Sequence, residues 1–272
     1  VTRAAGRGMA LAALALPVAA GLCYLWLAGA PPSYLAVNGG ALVLATLWIA
    51  VAPVPTTIRL RRTLIALILG LLFLPILTGP DVNGVTRWLP LGPFQLHAGM
   101  VVVPLLAVLL GEERELAPGL LSIALLAALL QPDMATGAAL MLAAVGLYDA
   151  TKDWRFGLFA VVAFTVSLVA AMHGELPAQP FVERVIATLA RSEPVGALAL
   201  LAGLLASFYL VIAALPGPIA SRKALAGCLF GFVFAGTVSN YPSPLIGYGA
   251  APILGFGLAL GVLAAMRAPQ LR

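Results

Sequence analysis

An all-α, polytopic membrane fold is expected from three features of the sequence. The chain has 272 residues, 62% hydrophobic and only 9% charged, where a soluble domain carries roughly 25% charged residues. Its mean hydropathy is +1.07. Its apolar residues fall in runs close to the ~20 residues that a helix needs to cross a bilayer. No linker, charge block or low-complexity tract is long enough to form a soluble domain, so residues 1–272 read as a single membrane domain.

The first apolar run, 9–28, follows Arg3 and Arg7. It is long enough to span and no small-x-small cleavage site follows, so it reads as a retained helix. Runs at 34–53 and 63–79 are the next two spans. Between 97 and 149, GEERELAP (111–118) and QPD (131–133) are too polar for lipid and divide the chain into 97–111, 118–131 and 134–149. Runs at 155–173, 195–215, 220–239 and 249–267 bring the plan to ten spans. An eight-span count, with 118–149 as a re-entrant pair, is the alternative.

Ten spans with cytoplasmic termini place Arg3, Arg7, Arg59, Arg61, Arg62, Arg114, Lys152, Arg155, Arg222, Lys223, Arg267 and Arg272 in inner segments. Only Arg87, Arg184 and Arg191 fall outside. Such asymmetry is the positive-inside pattern. It explains the pI near 9.6 through short basic loops, so no nucleic-acid partner is expected. Cys23 and Cys228 lie in apolar runs and read as small buried hydrophobes.

The outer segments, near 80–97, 131–134, 174–194 and 240–249, hold the unusual residues. In GVTRWLPLGPF, Pro90 and Pro93 stiffen the backbone and Gly92 permits a tight turn. Trp88 suits the membrane interface. Arg87 reads either as an interface anchor or as a bidentate grip on a diphosphate. His97 reads as a hydrogen bonder at a helix end. In QPDMATG, Pro132 breaks the helix, Asp133 caps the next one and Thr136 bonds back to the backbone. A carboxylate there is also a functional candidate.

After Pro180, Phe181, Val185, Ile186 and Leu189 recur at helical spacing, so an amphipathic surface helix is expected. Glu183, Arg184 and Arg191 then lie off its apolar face. NYPSPLIGYGAAP contains Pro242, Pro244, Gly247 and Gly249; such backbone at membrane depth must be buried in protein or line a cavity. Tyr241 and Tyr248 suit an aromatic belt. No Walker, GxSxG, zinc or Rossmann pattern competes.

Three of these segments, in order, resemble the SEDS family, the FtsW/RodA/SpoVE cell-wall polymerases. RWLPLGPFQLHAGM (87–100) is similar to the family's RW-x-x-LGPF-x-x-QPSE stretch. QPDMATG (131–137) is similar to QPDLGTA, and VSNYPSPLIGYGAAP (238–252) to VTGIPLPFISYGGSS. The resemblance covers about residues 60–267. LPAQPFVERVIATLARSE (176–193) resembles the family's fourth outer loop, and aligning Ala187 and Ala190 puts Glu183 at the position of its key aspartate. The chain departs from the family at Ala98, Gly99, Met100 and Val103, which replace the polar Pro-Ser-Glu-x-x-Lys run.

The resemblance implies a bacterial cytoplasmic-membrane protein that polymerises lipid II beside a class B penicillin-binding protein, in cell division or cell shape. It implies Glu183 as general base and a diphosphate facing Arg87, Arg184 or Arg191. Trp88, Asp133, Thr136 and Tyr248 join the substrate-binding set, and Pro90, Gly92, Pro93, Pro132, Pro242, Pro244 and Gly249 shape the loops. No protein metal site is expected, although a divalent cation at the diphosphate is compatible with this chemistry. A catalytically silent scaffold for a penicillin-binding protein is the second reading, and a lipid-precursor flippase the third.

Overall fold

The computed structural model describes residues 3–92 and 94–266. Pro93, Arg267 and Arg272, named above, lie outside the described residues. The helices are α1 (Arg3–Leu27), α2 (Pro32–Val51), α3 (Ile58–Thr78), α4 (Ala98–Leu110), α5 (Ala117–Leu130), α6 (Met134–Thr151), α7 (Trp154–Gly174), α8 (Val185–Ser192), α9 (Pro194–Tyr209), α10 (Ile219–Val238) and α11 (Ala250–Ala265). All but α8 correspond to the ten expected spans. A π-helical turn, Leu210–Ala214, lengthens α9. Among the described residues, seven helices are long and apolar enough to cross a membrane; α4, α5 and α11 are shorter apolar helices. The chain is thus an all-α, multi-pass membrane protein, with seven long and three shorter apolar helices among the described residues.

The shortness of α4 and α11 has structural consequences. Nearly every residue of both is buried, so other helices rather than lipid surround them. At 1.5 Å per residue, 13 residues of α4 reach about 20 Å, short of the ~30 Å hydrocarbon thickness. The missing length lies at one end of the bundle. There α4 is preceded by an antiparallel hairpin, β1 (Trp88–Leu91) and β2 (Phe94–His97). Residues 239–249 likewise precede α11 without forming a helix. Irregular backbone at membrane depth is stable only when protein encloses it, and here it forms the floor and walls of a recess.

Glycines bring the central helices together. A Cβ on Gly227 or Gly231 of α10 would meet the Leu142 or Ala138 carbonyl of α6 at 2.0 or 2.4 Å, and one on Gly255 of α11 would meet the Met100 carbonyl at 2.0 Å. Small residues allow this approach, and packing then replaces the hydrophobic drive that is absent between helices in lipid.

The opposite end of the bundle carries the paired basic residues. Glu113, 5% exposed, lies 2.6 Å from Arg61 and 3.1 Å from Arg62. Arg155 pairs with Asp153 at 2.8 Å and Glu115 at 3.3 Å. Burial alone would raise the Glu113 carboxyl, but the two arginines outweigh it and hold the group below its usual range.

Two local expectations are corrected. Phe181 is not part of an amphipathic helix: α8 begins at Val185, and Phe181 and Arg184 have φ of 67° and 53°. Segment 179–184 instead bonds to segment 239–249, through Ser243 N–H to the Val182 carbonyl at 2.8 Å and Tyr248 N–H to the Phe181 carbonyl at 2.7 Å. Cys23 is exposed on α1, whereas Cys228 is buried as expected; the apolar run gave no sign of which face of α1 meets other helices.

Candidate functional site

Three of the four unusual segments surround a cavity of about 330 Å³ at the recessed end of the bundle, with several polar side chains on its lining, and the fourth, 131–134, lies behind it. Its lining includes Arg87 and Trp88 from β1 and its approach, Gln95 and His97 from β2, Gln179 and Glu183, and Tyr248. The first turn of α11, residues 249–252, closes one wall.

Strand pairing positions Glu183. It forms an isolated antiparallel bridge with Pro242, flanked by the two loop-to-loop hydrogen bonds above and by Val185 N–H to Ser243 Oγ at 3.2 Å. Its carboxylate accepts a short hydrogen bond from the Gln179 N–H. Burial pushes the Glu183 carboxyl up, and the Gln179 N–H and the Arg87 charge reverse only part of that rise. A carboxyl with a raised pKa is a better proton acceptor than an ordinary glutamate.

Arg87 is 3% exposed. Its guanidinium lies 4.4 Å from the Tyr241 ring centroid and 5.0 Å from that of Trp88, and Nη1 donates to the Gly174 carbonyl at 3.1 Å. Stacking and hydrogen bonding together hold its planar fork still. Tyr241 is fully buried rather than set in an aromatic belt, and its hydroxyl accepts from Met134 N–H at 3.0 Å.

Asp133 and Thr136 lie behind this wall, outside the cavity lining. Asp133 Oδ1 accepts from Thr136 N–H at 3.1 Å, capping α6, and Oδ2 is 3.5 Å from His97 Nε2. Burial would raise the Asp133 carboxyl; His97, Arg87 and the Thr136 N–H outweigh it and bring it to about 2. His97 Nδ1 in turn accepts from Met100 N–H at 3.3 Å, capping α4. It is thus the helix-end hydrogen bonder expected from sequence, and also lines the cavity.

The remaining candidates separate clearly. Tyr248 stacks on Tyr34 at 3.6 Å with an 8° angle between the rings. Gly92, with φ of 58°, turns the hairpin, and Pro90 pairs opposite Gln95. Pro132 approaches α7 closely: a Cβ on Gly174 would lie 1.9 Å from its carbonyl oxygen. Pro244 is buried and Gly249 precedes α11. Arg184 lies outside the cavity lining, half-exposed and 3.9 Å from Glu175. Arg191 also lies outside it, exposed on α8.

Sequence reasoning missed Asn38 and Tyr34 on α2. Asn38 is 1% exposed; Nδ2 donates to the Gly247 carbonyl at 2.9 Å and Oδ1 accepts from Gly249 N–H at 3.0 Å. A lone asparagine in an apolar span was the available signal, since such a group bonds across helices.

Alternation along β2 places a second space on the opposite face of the strand. Gln95 and His97 face the cavity, while Phe94 and Leu96 line an apolar groove of about 470 Å³ against Val37, Ala41 and Leu44 of α2. Ala250 borders both.

No protein-family model matches the chain. It is 36% identical over 157 residues to the probable peptidoglycan glycosyltransferase FtsW of Halorhodospira halophila, covering 51% of this chain and 38% of that protein. It is 32% identical over 117 residues to the probable peptidoglycan glycosyltransferase FtsW of Pseudoalteromonas translucida, covering 37% and 29% respectively. The matches thus span less than two-fifths of these curated relatives. The fold is similar to that of the rod shape determining protein RodA of Thermus thermophilus, with a TM-score of 0.65, 23% identity and 93% of each chain covered. A chain from a peptidoglycan synthase complex, described as coordinating polymerization and crosslinking, matches with a TM-score of 0.65, 21% identity and coverage of 93% and 95%.

Proposed function

We propose that this chain is a lipid II glycosyltransferase of the SEDS type, acting in peptidoglycan synthesis in the bacterial cytoplasmic membrane; its similarity to FtsW over part of its length and its RodA-like fold support this reading. The observation that carries this reading is the meeting of Glu183 and Arg87 in one polar cavity beside an apolar groove. An amphiphilic sugar donor fits such a pair of spaces. Its sugar and diphosphate enter the cavity, and its isoprenoid chain follows the groove toward lipid.

The chemistry follows from these groups. An acceptor sugar hydroxyl attacks the anomeric carbon of the donor. The new C–O bond forms as the bond to the diphosphate breaks, and the diphosphate departs with that electron pair. Glu183 takes the hydroxyl proton. Arg87, preset by its ring contacts, opposes the negative charge on the leaving group. Arg184 and Arg191 are left for headgroup contacts at the mouth. Among the described residues no group of three or more His, Cys, Asp or Glu is arranged to hold a metal ion.

A class B penicillin-binding protein is the proposed partner, supported by the likeness to a chain of a peptidoglycan synthase complex. The test is polymerisation of labelled lipid II by the purified chain, with and without such a partner. Glycan products on a gel are expected. Unchanged lipid II in both arms would overturn the enzymatic reading in favour of a silent scaffold. A flippase has less support, because the buried Asp133 and Arg87 lie at one end of the bundle rather than along a path through it.

A further inference from the structure

A separate cavity of about 620 Å³ lies between α1, α8 and α9, at the same end of the bundle as the polar cavity. A close contact sets its inner limit. A Cβ on Gly203 of α9 would fall 3.1 Å from Pro17 Cα of α1, so the two helices touch there. Beyond that contact, Cys23, Tyr24 and Leu27 of α1 line the space from one side and Gly196 and Ala199 of α9 from the other. Leu27 and Val195 on this lining are 79% and 78% exposed, so the mouth faces the bilayer. The volume is within the ~300–1,000 Å³ of ordinary ligand sites. An acyl chain fits it, whereas a spanning helix, about 30 Å long and 10–12 Å across, is several times too large.

The charge on this cavity specifies the occupant further. Among the described residues, Glu193 is the one charged group on its lining. Glu193 precedes α9, yet its side chain does not cap that helix. It has no ion-pair partner among the described residues. A carboxylate at the rim of an apolar space favours a cation, and the Tyr24 ring on the same lining favours one too. Arg191 lies two residues before Glu193, exposed in the last turn of α8 and likewise without an ion-pair partner among the described residues. Its guanidinium suits a phosphate. A carboxylate, a ring and a guanidinium beside an apolar space match a zwitterionic headgroup on an apolar tail.

We propose that this cavity binds a phospholipid with a primary-ammonium headgroup. The ammonium sits between Glu193 and Tyr24, the phosphate meets Arg191, and an acyl chain fills the space between α1 and α9. The site is separate from the polar cavity and independent of the glycosyltransferase reading. It acts on the 179–184 segment through Phe181. The Phe181 ring lies 6.4 Å from Tyr24 and 6.3 Å from Tyr34, and its carbonyl accepts from the Tyr248 N–H. A lipid seated against Tyr24 therefore braces the segment that carries Glu183.

The test is native mass spectrometry of the full chain in detergent with equimolar dioleoyl phosphatidylethanolamine, phosphatidylcholine and phosphatidylglycerol. Phosphatidylethanolamine should be retained on the order of fivefold over the other two, because only its ammonium donates charge-assisted hydrogen bonds to Glu193. Glu193→Gln should erase the preference over phosphatidylcholine. Arg191→Gln should lower retention of both while keeping their order. Ala199→Trp, which fills the cavity, should lower retention of all three. Cys23 gives a readout that needs no variant. It is exposed and Cys228 is buried, so N-ethylmaleimide reports Cys23, and phosphatidylethanolamine should slow its alkylation several-fold. Equal retention of the three lipids, a preference that survives in Glu193→Gln, or alkylation of Cys23 unchanged by phosphatidylethanolamine would each overturn the proposal. Preference for phosphatidylglycerol would overturn it in favour of an anionic-lipid contact at Arg191. Failure to polymerise lipid II would leave this site standing.

Discussion

Replacing Asn38 with alanine tests how the cavity wall is held. The native side chain ties α2 to both ends of the Gly247 to Gly249 turn, at 2.9 and 3.0 Å. Alanine leaves the Gly247 carbonyl and the Gly249 N–H without those partners. An unsatisfied buried group costs about 1–3 kcal/mol. Gly247 is buried and Gly249 only half-buried, so water recovers part of the loss, and about 2–4 kcal/mol is expected for the pair. In a chain of this size 1 kcal/mol shifts the melting midpoint by about 2–4 °C, so the variant should melt on the order of 5–10 °C lower. Intrinsic fluorescence of the detergent-solubilised chain during heating measures this directly. If Asn38→Ala melts with the native protein, α2 does not hold this turn and the account of the wall is wrong.

Other expectations concern charge and packing. Burial raises the Glu183 carboxyl, so its protonation should stop polymerisation as pH falls through a value above the ordinary ~4.3 of glutamate. A pH–rate profile shows the position of that limb, and Arg87→Gln should move it further up by removing an attraction that favours the charged form. Glu113 has the opposite sign: its carboxyl is lowered, so its contribution to stability is present above ~4.3 and is lost as pH falls through the lower folded value. Glu113→Gln should cost about 2 kcal/mol at neutral pH, since Arg62 is half-exposed and screened, and a urea titration against native protein checks it. Gly231→Leu should abolish recovery of folded protein, judged by gel filtration, because its Cβ already falls 2.4 Å from the Ala138 carbonyl and no flexible side chain is there to yield.

The seven long and three shorter apolar helices were legible because GEERELAP and QPD interrupt the apolar runs where the chain turns. The helix-capping role of Asp133 and the helix-end role of His97 were equally legible, being local. The hairpin was not. Pro90 obscures a strand signal, and the pairing of Trp88 with His97 depends on the missing length of α4. Periodicity after Pro180 pointed to one helix, but loop-to-loop hydrogen bonds with Ser243 and Tyr248 claimed its first residues. Glu183 therefore owes its position to a partner about sixty residues away in sequence, a relation no local pattern carries. The burial of Tyr241 beneath Arg87 was hidden for the same reason.

The proposed role of Glu183 is to take the proton of the acceptor hydroxyl. Its most direct test is the lipid II polymerisation rate of purified Glu183→Gln beside the native chain, with matched melting curves. Native protein should make glycan, and the variant, equally folded, should be slower on the order of a hundredfold to ten-thousandfold. Equal rates from the two proteins would contradict it.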